Sequence, residues 1–201
     1  MNLHTTRDRY DALSIAVHWL TLLLLVAVYA AILLRELYPK GSDPRETLKT
    51  WHFMLGLTVF GTVGIRVVLR LMFRVPPITP TPPAWQRWLA TTVHVALYLF
   101  LIVMPLLGWL TLSAKGKQIP FFGLQLPALI GPDEALGGNL EEIHETIGTF
   151  GYYLIGLHAA AALFHHYFMG DDTLTRILPW PGRRLRAERV RAVSANDGRR
   201  G

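Results

Sequence analysis

The stretch HETIGTFGYYLIGLHAAAALFHHYF, His144–Phe168, decides how the rest of the chain is read. After Glu145 it carries no acid, Lys or Arg, and with Met169 and Gly170 it is long and apolar enough to cross a bilayer as a helix. It nevertheless holds four histidines, at 144, 158, 165 and 166. An imidazole inside a membrane loses its water and needs a partner, so several in one span point to function rather than packing. The fourteen residues from His144 to His158 rise about 21 Å and return nearly to the same helix face. One helix thus offers two ligands at two depths.

Working outward, three further apolar runs complete an integral membrane four-helix bundle of the all-α class. The spans are expected at about 12–34, 50–73, 88–114 and 143–170. From Ala12 to Leu34 there are 23 residues without a charge, about 34 Å of helix. This run exceeds the core of a signal peptide, so it reads as a retained helix. Pro105 is expected to kink the third span. The chain has 201 residues, 51% of them hydrophobic and 17% charged, with a mean hydropathy of +0.30. It has room for one domain, 1–182, followed by a basic tail, 183–201. With the N-terminus inside, 14 of the 20 Lys and Arg fall on the cytoplasmic side. Positive residues stay inside, so both termini are expected to be cytoplasmic.

The net charge of +6 fits a basic collar against anionic lipid better than a nucleic-acid surface, because the arginines cluster at span ends and in the tail. The absence of cysteine excludes disulfides, thiolate-bound zinc, iron–sulfur clusters and covalent c-type haem. The loop RVPPITPTPPAW, 74–85, is too proline-rich for helix and is expected to run extended. In the loop from Ser113 to Glu142, the apolar piece Ile119–Ile130 reads either as a lid along the membrane or as an isolated loop.

Of eight histidines only His4 lies well outside the spans. His52 and His144 are expected to open spans two and four near the outer face, where a metal centre can bridge them. His18 and His158 fall toward the cytoplasm, as do His94 and His165, and depth alone leaves that choice open. Two metal sites at two depths, each between imidazoles, are the arrangement of stacked b-type haems. Gly148, Gly151 and Gly156, with Gly56, Gly61 and Gly64, either admit a porphyrin or serve helix packing. Arg66 and Arg70 share a face and are expected to snorkel to lipid phosphate rather than hold haem propionates.

With His18-Trp19, Pro76-Pro77-Ile78, Phe122-Gly123-Leu124 and the long motif His144–Phe168, the sequence resembles the bacterial cytochrome b561 family over about residues 8 to 180. The resemblance implies a multi-pass oxidoreductase of the bacterial inner membrane with two haem b. These would carry electrons from superoxide outside to ubiquinone within the bilayer. It places the haem-iron ligands on His18 with His158 for the inner haem, and on His52 with His144 for the outer one. Lys115 and Lys117 are candidates for steering superoxide, an anion, unless they are merely solvated lysines. His165 and His166 are candidates for contact with ubiquinone, unless they anchor the interface together with Tyr167. Superoxide, ubiquinone and the lipid bilayer are then the partners, and nucleic acid is not among them. No protein partner is required, although a haem-bearing anchor serving a separate dehydrogenase or hydrogenase subunit would use the same ligands.

Overall fold

The computed structural model describes residues 9–179; the basic tail, Arg7 and His4 lie outside them. Helix α1 runs Ala12–Leu34 and passes through a 3-10 turn, Arg35–Leu37, toward α2, Asp43–Met72. Helix α3 is Ala84–Ala114, α4 is Glu134–Phe164, and a π-helical turn, His165–Met169, follows. All four meet the length and apolarity of membrane spans, with mean hydropathies of 2.4, 1.7, 2.3 and 1.4 over their best windows. At most 22% of the residues in any of these windows are buried within the protein. Their apolar outer surface has lipid, not protein, as its natural solvent.

Span one has the expected bounds. The other three helices begin earlier than expected, at Asp43, Ala84 and Glu134 rather than at 50, 88 and 143. A charge-free window marks hydrocarbon depth, whereas a helix continues until its backbone is capped. Pro44 sits in the first turn of α2, Pro83 precedes α3, and the Asp133 carboxylate accepts the Leu136 N–H at 3.0 Å at the start of α4. Asp11 caps α1 in the same way, accepting the Ser14 N–H at 2.8 Å. Gly170 closes α4 and its π turn in the left-handed region, at φ 66°.

Helix α1 packs on α2, α2 on α3, and α3 on α4, while α4 comes within close backbone contact of neither α1 nor α2. Val59, Val63 and Leu101 form the buried centre of the first three helices, with Leu24, Leu25 and Val28 against it. The fourth helix is tied to α1 by side chains instead. Tyr29 donates its hydroxyl to the Gly148 carbonyl at 2.8 Å and lies 4.3 Å from the Tyr152 ring.

The loop between α2 and α3 has no regular structure, as its prolines require. The apolar piece after α3 is not an isolated loop. Ile119–Phe121 (β1) and Leu124–Leu126 (β2) pair antiparallel. Phe122 N–H meets the Met54 sulfur at 3.3 Å, the Phe122 ring lies edge-on to Trp51, and Trp109 donates to the Pro127 carbonyl at 3.0 Å. The hairpin thereby covers one end of α2 and α3. At the opposite end, Trp19 donates to the Ile177 carbonyl at 2.8 Å, Arg9 to that of Leu178 and Arg176 to that of Pro76. The segment before α1, the proline-rich loop and the chain after α4 therefore share one end of the bundle.

Candidate functional site

Two histidine pairs face each other across the space that separates α4 from α1 and α2. At the hairpin end, His52 of α2 and His144 of α4 have ring centres 6.2 Å apart. Toward the other end, His18 of α1 and His158 of α4 are 6.5 Å apart. A metal–imidazole bond is about 2 Å and the bonded nitrogen lies about 1 Å from its ring centre, so one ion held axially between two rings separates their centres by about 6 Å. Both pairs have that spacing. His52 and His144 do not open their helices as expected but lie two to three turns inside them, because both helices begin earlier. The common depth of the pair is unaffected.

Hydrogen bonding around the pair at the hairpin end suits iron ligation. His52 Nδ1 is 3.0 Å from the Val28 carbonyl, which fixes its proton there and leaves Nε2 as the ligating atom. His144 Nδ1 is buried without a hydrogen-bond partner of good geometry. Gly108 lies against that ring, where an added Cβ would stand 3.4 Å from Cε1. Beside His52, one turn on, a Cβ at Gly56 would meet nothing within 4 Å. Gly156, Gly61 and Gly64 are equally open, whereas Gly151 is closed by the Phe100 ring and the Tyr29 hydroxyl. Gly151 is thus a packing glycine rather than room for a cofactor. No group of three or more His, Asp or Glu able to hold a metal ion occurs among the described residues. The two pairs fit a cofactor that brings its own equatorial ligands, as a porphyrin does.

The site at the other end holds more than its pair. His94 of α3 has its ring centre 5.4 Å from that of His158, nearer than His18. Arg66 does not snorkel to lipid as expected. Its Nη2 lies 3.1 Å from His18 Nδ1, and its Cζ stands 5.7 Å from the centre of the Tyr98 ring. A nitrogen lone pair and an aromatic face inside the bundle receive the guanidinium that would otherwise seek phosphate.

His165 lies beyond this cluster, in the π turn, with Nδ1 2.6 Å from an Asp171 carboxylate oxygen. Burial pushes the Asp171 carboxyl up, but the His165 ring and the Thr173 N–H at 2.9 Å outweigh it and hold the group below its ordinary value. Nothing in the spacing of the sequence announced Asp171, which lies six residues from its partner across a turn that is not α-helical. His166 Nδ1 is buried without a partner. At the hairpin end Lys115 is ion-paired with Glu141, while Lys117 is exposed.

A family model described as prokaryotic cytochrome b561 matches residues 9–180. Cytochrome b561 homolog 1 of Escherichia coli strain K12 is 37% identical over 172 residues, covering 86% of this chain and 98% of its own length. A probable superoxide oxidase, CybB, of Yersinia pestis is 34% identical over 171 residues, covering 85% and 96%. Cytochrome b561 homolog 2 of Escherichia coli strain K12 is 28% identical over 179 residues, covering 89% and 95%.

Proposed function

The chain belongs to the prokaryotic cytochrome b561 family, and from that premise we propose that it is a di-haem superoxide oxidase that passes electrons to ubiquinone. The observation that carries the reading is the matched spacing of the two histidine pairs, 6.2 and 6.5 Å, at two depths of one bundle. His52 with His144 would hold the outer haem, and His18 with His158 the inner one.

Haem held by these two pairs of histidines would supply one-electron transfer. Superoxide at the hairpin end gives up one electron and leaves as dioxygen, twice in succession. Ubiquinone at the inner end takes the two electrons and two protons and becomes the quinol. The hairpin, through Phe122 against Met54 and Trp51, covers the end of α2 at which superoxide would approach. At the inner end, His165 and His166 stand where a quinone head near the interface would meet a hydrogen-bonding imidazole. The positive-inside rule puts this end, with both termini, toward the cytoplasm of a bacterial inner membrane.

The test combines spectroscopy with kinetics on the purified chain. A pyridine haemochrome assay is expected to give two non-covalent haems per chain. Replacing His52 or His144 with Ala is expected to remove one redox component, and replacing His18 or His158 the other. If variants at His18 and His52 lose the same component, the pairing is wrong. Anaerobic stopped-flow is expected to show haem reduction by superoxide and reoxidation by a soluble quinone. A chain that performs neither step until a dehydrogenase or hydrogenase subunit is added is a membrane anchor instead.

A further inference from the structure

Among the described residues, His165 is the one histidine paired with a carboxylate, its Nδ1 lying 2.6 Å from Asp171 Oδ2. An α-helix would set residues six apart more than one and a half turns from each other, about 9 Å along the axis. Here the π-helical turn and Gly170, at φ 66°, fold the chain back instead, and the Asp171 N–H bonds the His165 carbonyl at 3.2 Å. Backbone and side chain thus hold the two residues together.

Asp171 is buried, and its other oxygen accepts the Thr173 N–H at 2.9 Å. Burial pushes its carboxyl up, yet the contacts with His165 and Thr173 hold it below its ordinary value, so it stands as a carboxylate. The neighbouring charges are engaged elsewhere: Asp172 with Arg176 and the Thr79 N–H, Arg9 with the Leu178 carbonyl, and Asp11 with the Ser14 N–H. A carboxylate only accepts hydrogen bonds. The proton between the pair is therefore on His165 Nδ1, and Nε2 is left as the atom through which the ring gains or loses a proton. Nε2 has no hydrogen-bond partner among the described residues, and it is not sealed in as His166 Nδ1 is. Phe164 lies edge-on to the His165 ring at 6.3 Å and stacks on Phe168 at 5.3 Å, and both phenylalanines are exposed. An apolar ring that reaches this end from lipid meets an aromatic face and one free nitrogen.

We propose that Asp171 is a positioning residue that holds His165 as the proton donor of quinone reduction, with Nδ1–H on the carboxylate and Nε2 turned to the quinone oxygen. The inference rests on the quinone-reducing function proposed above. As ubiquinone takes its two electrons, an Nε2–H bond breaks and an O–H bond forms on the quinone. The imidazole, neutral again, keeps its Nδ1 proton on Asp171. A solvent proton from the cytoplasmic side restores Nε2–H, and a second passage through the same nitrogen completes the quinol. Two electrons and two protons then enter each quinone, and Asp171 acts only through His165.

Two measurements on the purified holoprotein test this. The first is nitrogen NMR of histidine-labelled protein after reduction with dithionite, with His165→Gln identifying the signal. The His165 ring is expected to carry a proton on Nδ1. A ring protonated on Nε2 alone overturns the proposal, and this result needs no variant of Asp171 to fold. The second is single-turnover reoxidation of pre-reduced protein by a short-chain ubiquinone, taken per haem, in a double-variant cycle. His165→Gln and Asp171→Asn are each expected to slow it about tenfold or more, and the double variant no further than His165→Gln alone. Asp171→Asn at the wild-type rate overturns the proposal. So does a double variant slowed by the product of the two single effects, the result expected of an aspartate that only braces the chain. His165→Gln at the wild-type rate fails the placement of quinone at His165 and the proposal with it. That outcome is distinct from a flat response to Asp171→Asn beside a slow His165→Gln, which leaves the quinone contact standing. A wild-type protein that no quinone reoxidises fails the proposed function itself.

Discussion

Asp171 is the residue that ties the end of α4 to the chain beyond it, through His165 at 2.6 Å and the Thr173 N–H at 2.9 Å. Its carboxyl is held below the ordinary value of 3.8, so the folded state prefers the ionised form. The stability it contributes is fully present above the unfolded value and is lost as pH falls through the folded one. The protection of amides across 171–178, measured against intrinsic exchange at each pH, is therefore expected to be high at pH 6 and to fall below about pH 4. Asp171→Asn is expected to weaken that segment by about 1–2 kcal/mol at neutral pH, the worth of hydrogen bonds to a charged group. It should also remove the acid transition. If the Asn variant keeps the wild-type acid profile, another group owns the transition. The common depth of His52 and His144 was legible in the sequence because depth along a helix is a count of residues. Depth left the other end open among His18, His94, His158 and His165, because a count does not give the helix rotations that bring the His94 and His158 rings to 5.4 Å. Arg66 was misread for the same reason: spacing put it on a face with Arg70, but only packing shows that this face meets His18 and Tyr98.

At the scale of the elements, the contact between α4 and its neighbours depends on one glycine. A Cβ at Gly151 would stand 2.3 Å from the tip of the Phe100 ring and 2.4 Å from the Tyr29 hydroxyl. Neither group has a flexible end that can turn away, and Tyr29 is held by the Gly148 carbonyl. Gly151→Ala is therefore expected to push α4 outward and cost about 1–3 kcal/mol. This should appear as a lower melting temperature and weaker haem retention. Gly156→Ala, one to two turns on, meets nothing within 4 Å and is expected to be neutral or slightly stabilising. Equal melting temperatures for the two variants would refute the packing role of Gly151. Four helices were legible because four apolar runs are long enough to cross a bilayer. Their starts were not, since Asp43–Lys49 and Glu134–Glu142 carry charges that a helix tolerates once it has left the hydrocarbon. The hairpin was hidden for a different reason. Ile119–Leu126 is apolar without a clean alternation, and its turn at Phe122-Gly123, where both residues have positive φ, gives only a weak local signal.

For the whole molecule, the distribution of charge determines how an anion can approach. The two segments at the hairpin end carry seven acids from Glu36 to Glu142 against six Lys and Arg, so no bulk positive field covers that end. Most of those bases are also paired: Arg35 and Arg45 with Glu36, Lys49 with Glu46, and Lys115 with Glu141. On the proposed reading, Lys115 would therefore be a weaker guide for superoxide than its position in the sequence suggests. Lys117 is exposed beside the hairpin and has no ion pair among the described residues, so any steering it provides is local. At about 10 Å in water a unit charge changes the energy of an approaching anion by roughly 0.4 kcal/mol, so reversing its sign changes the encounter rate by about fourfold. Lys117→Glu is expected to slow haem reduction by superoxide about that much at low salt. The difference should shrink to about 1.5-fold at physiological ionic strength, where the screening length falls to about 8 Å. On the proposed reading, reoxidation of a pre-reduced sample by quinone would occur at the other end of the bundle and is expected to be unchanged. Single-turnover kinetics that follow the haem absorbance separate the two steps. A Lys117→Glu protein that slows the quinone step instead would invert the assignment of the two ends, and with it the orientation read from the positive residues. If neither step changes, superoxide enters by a route on which Lys117 exerts no field.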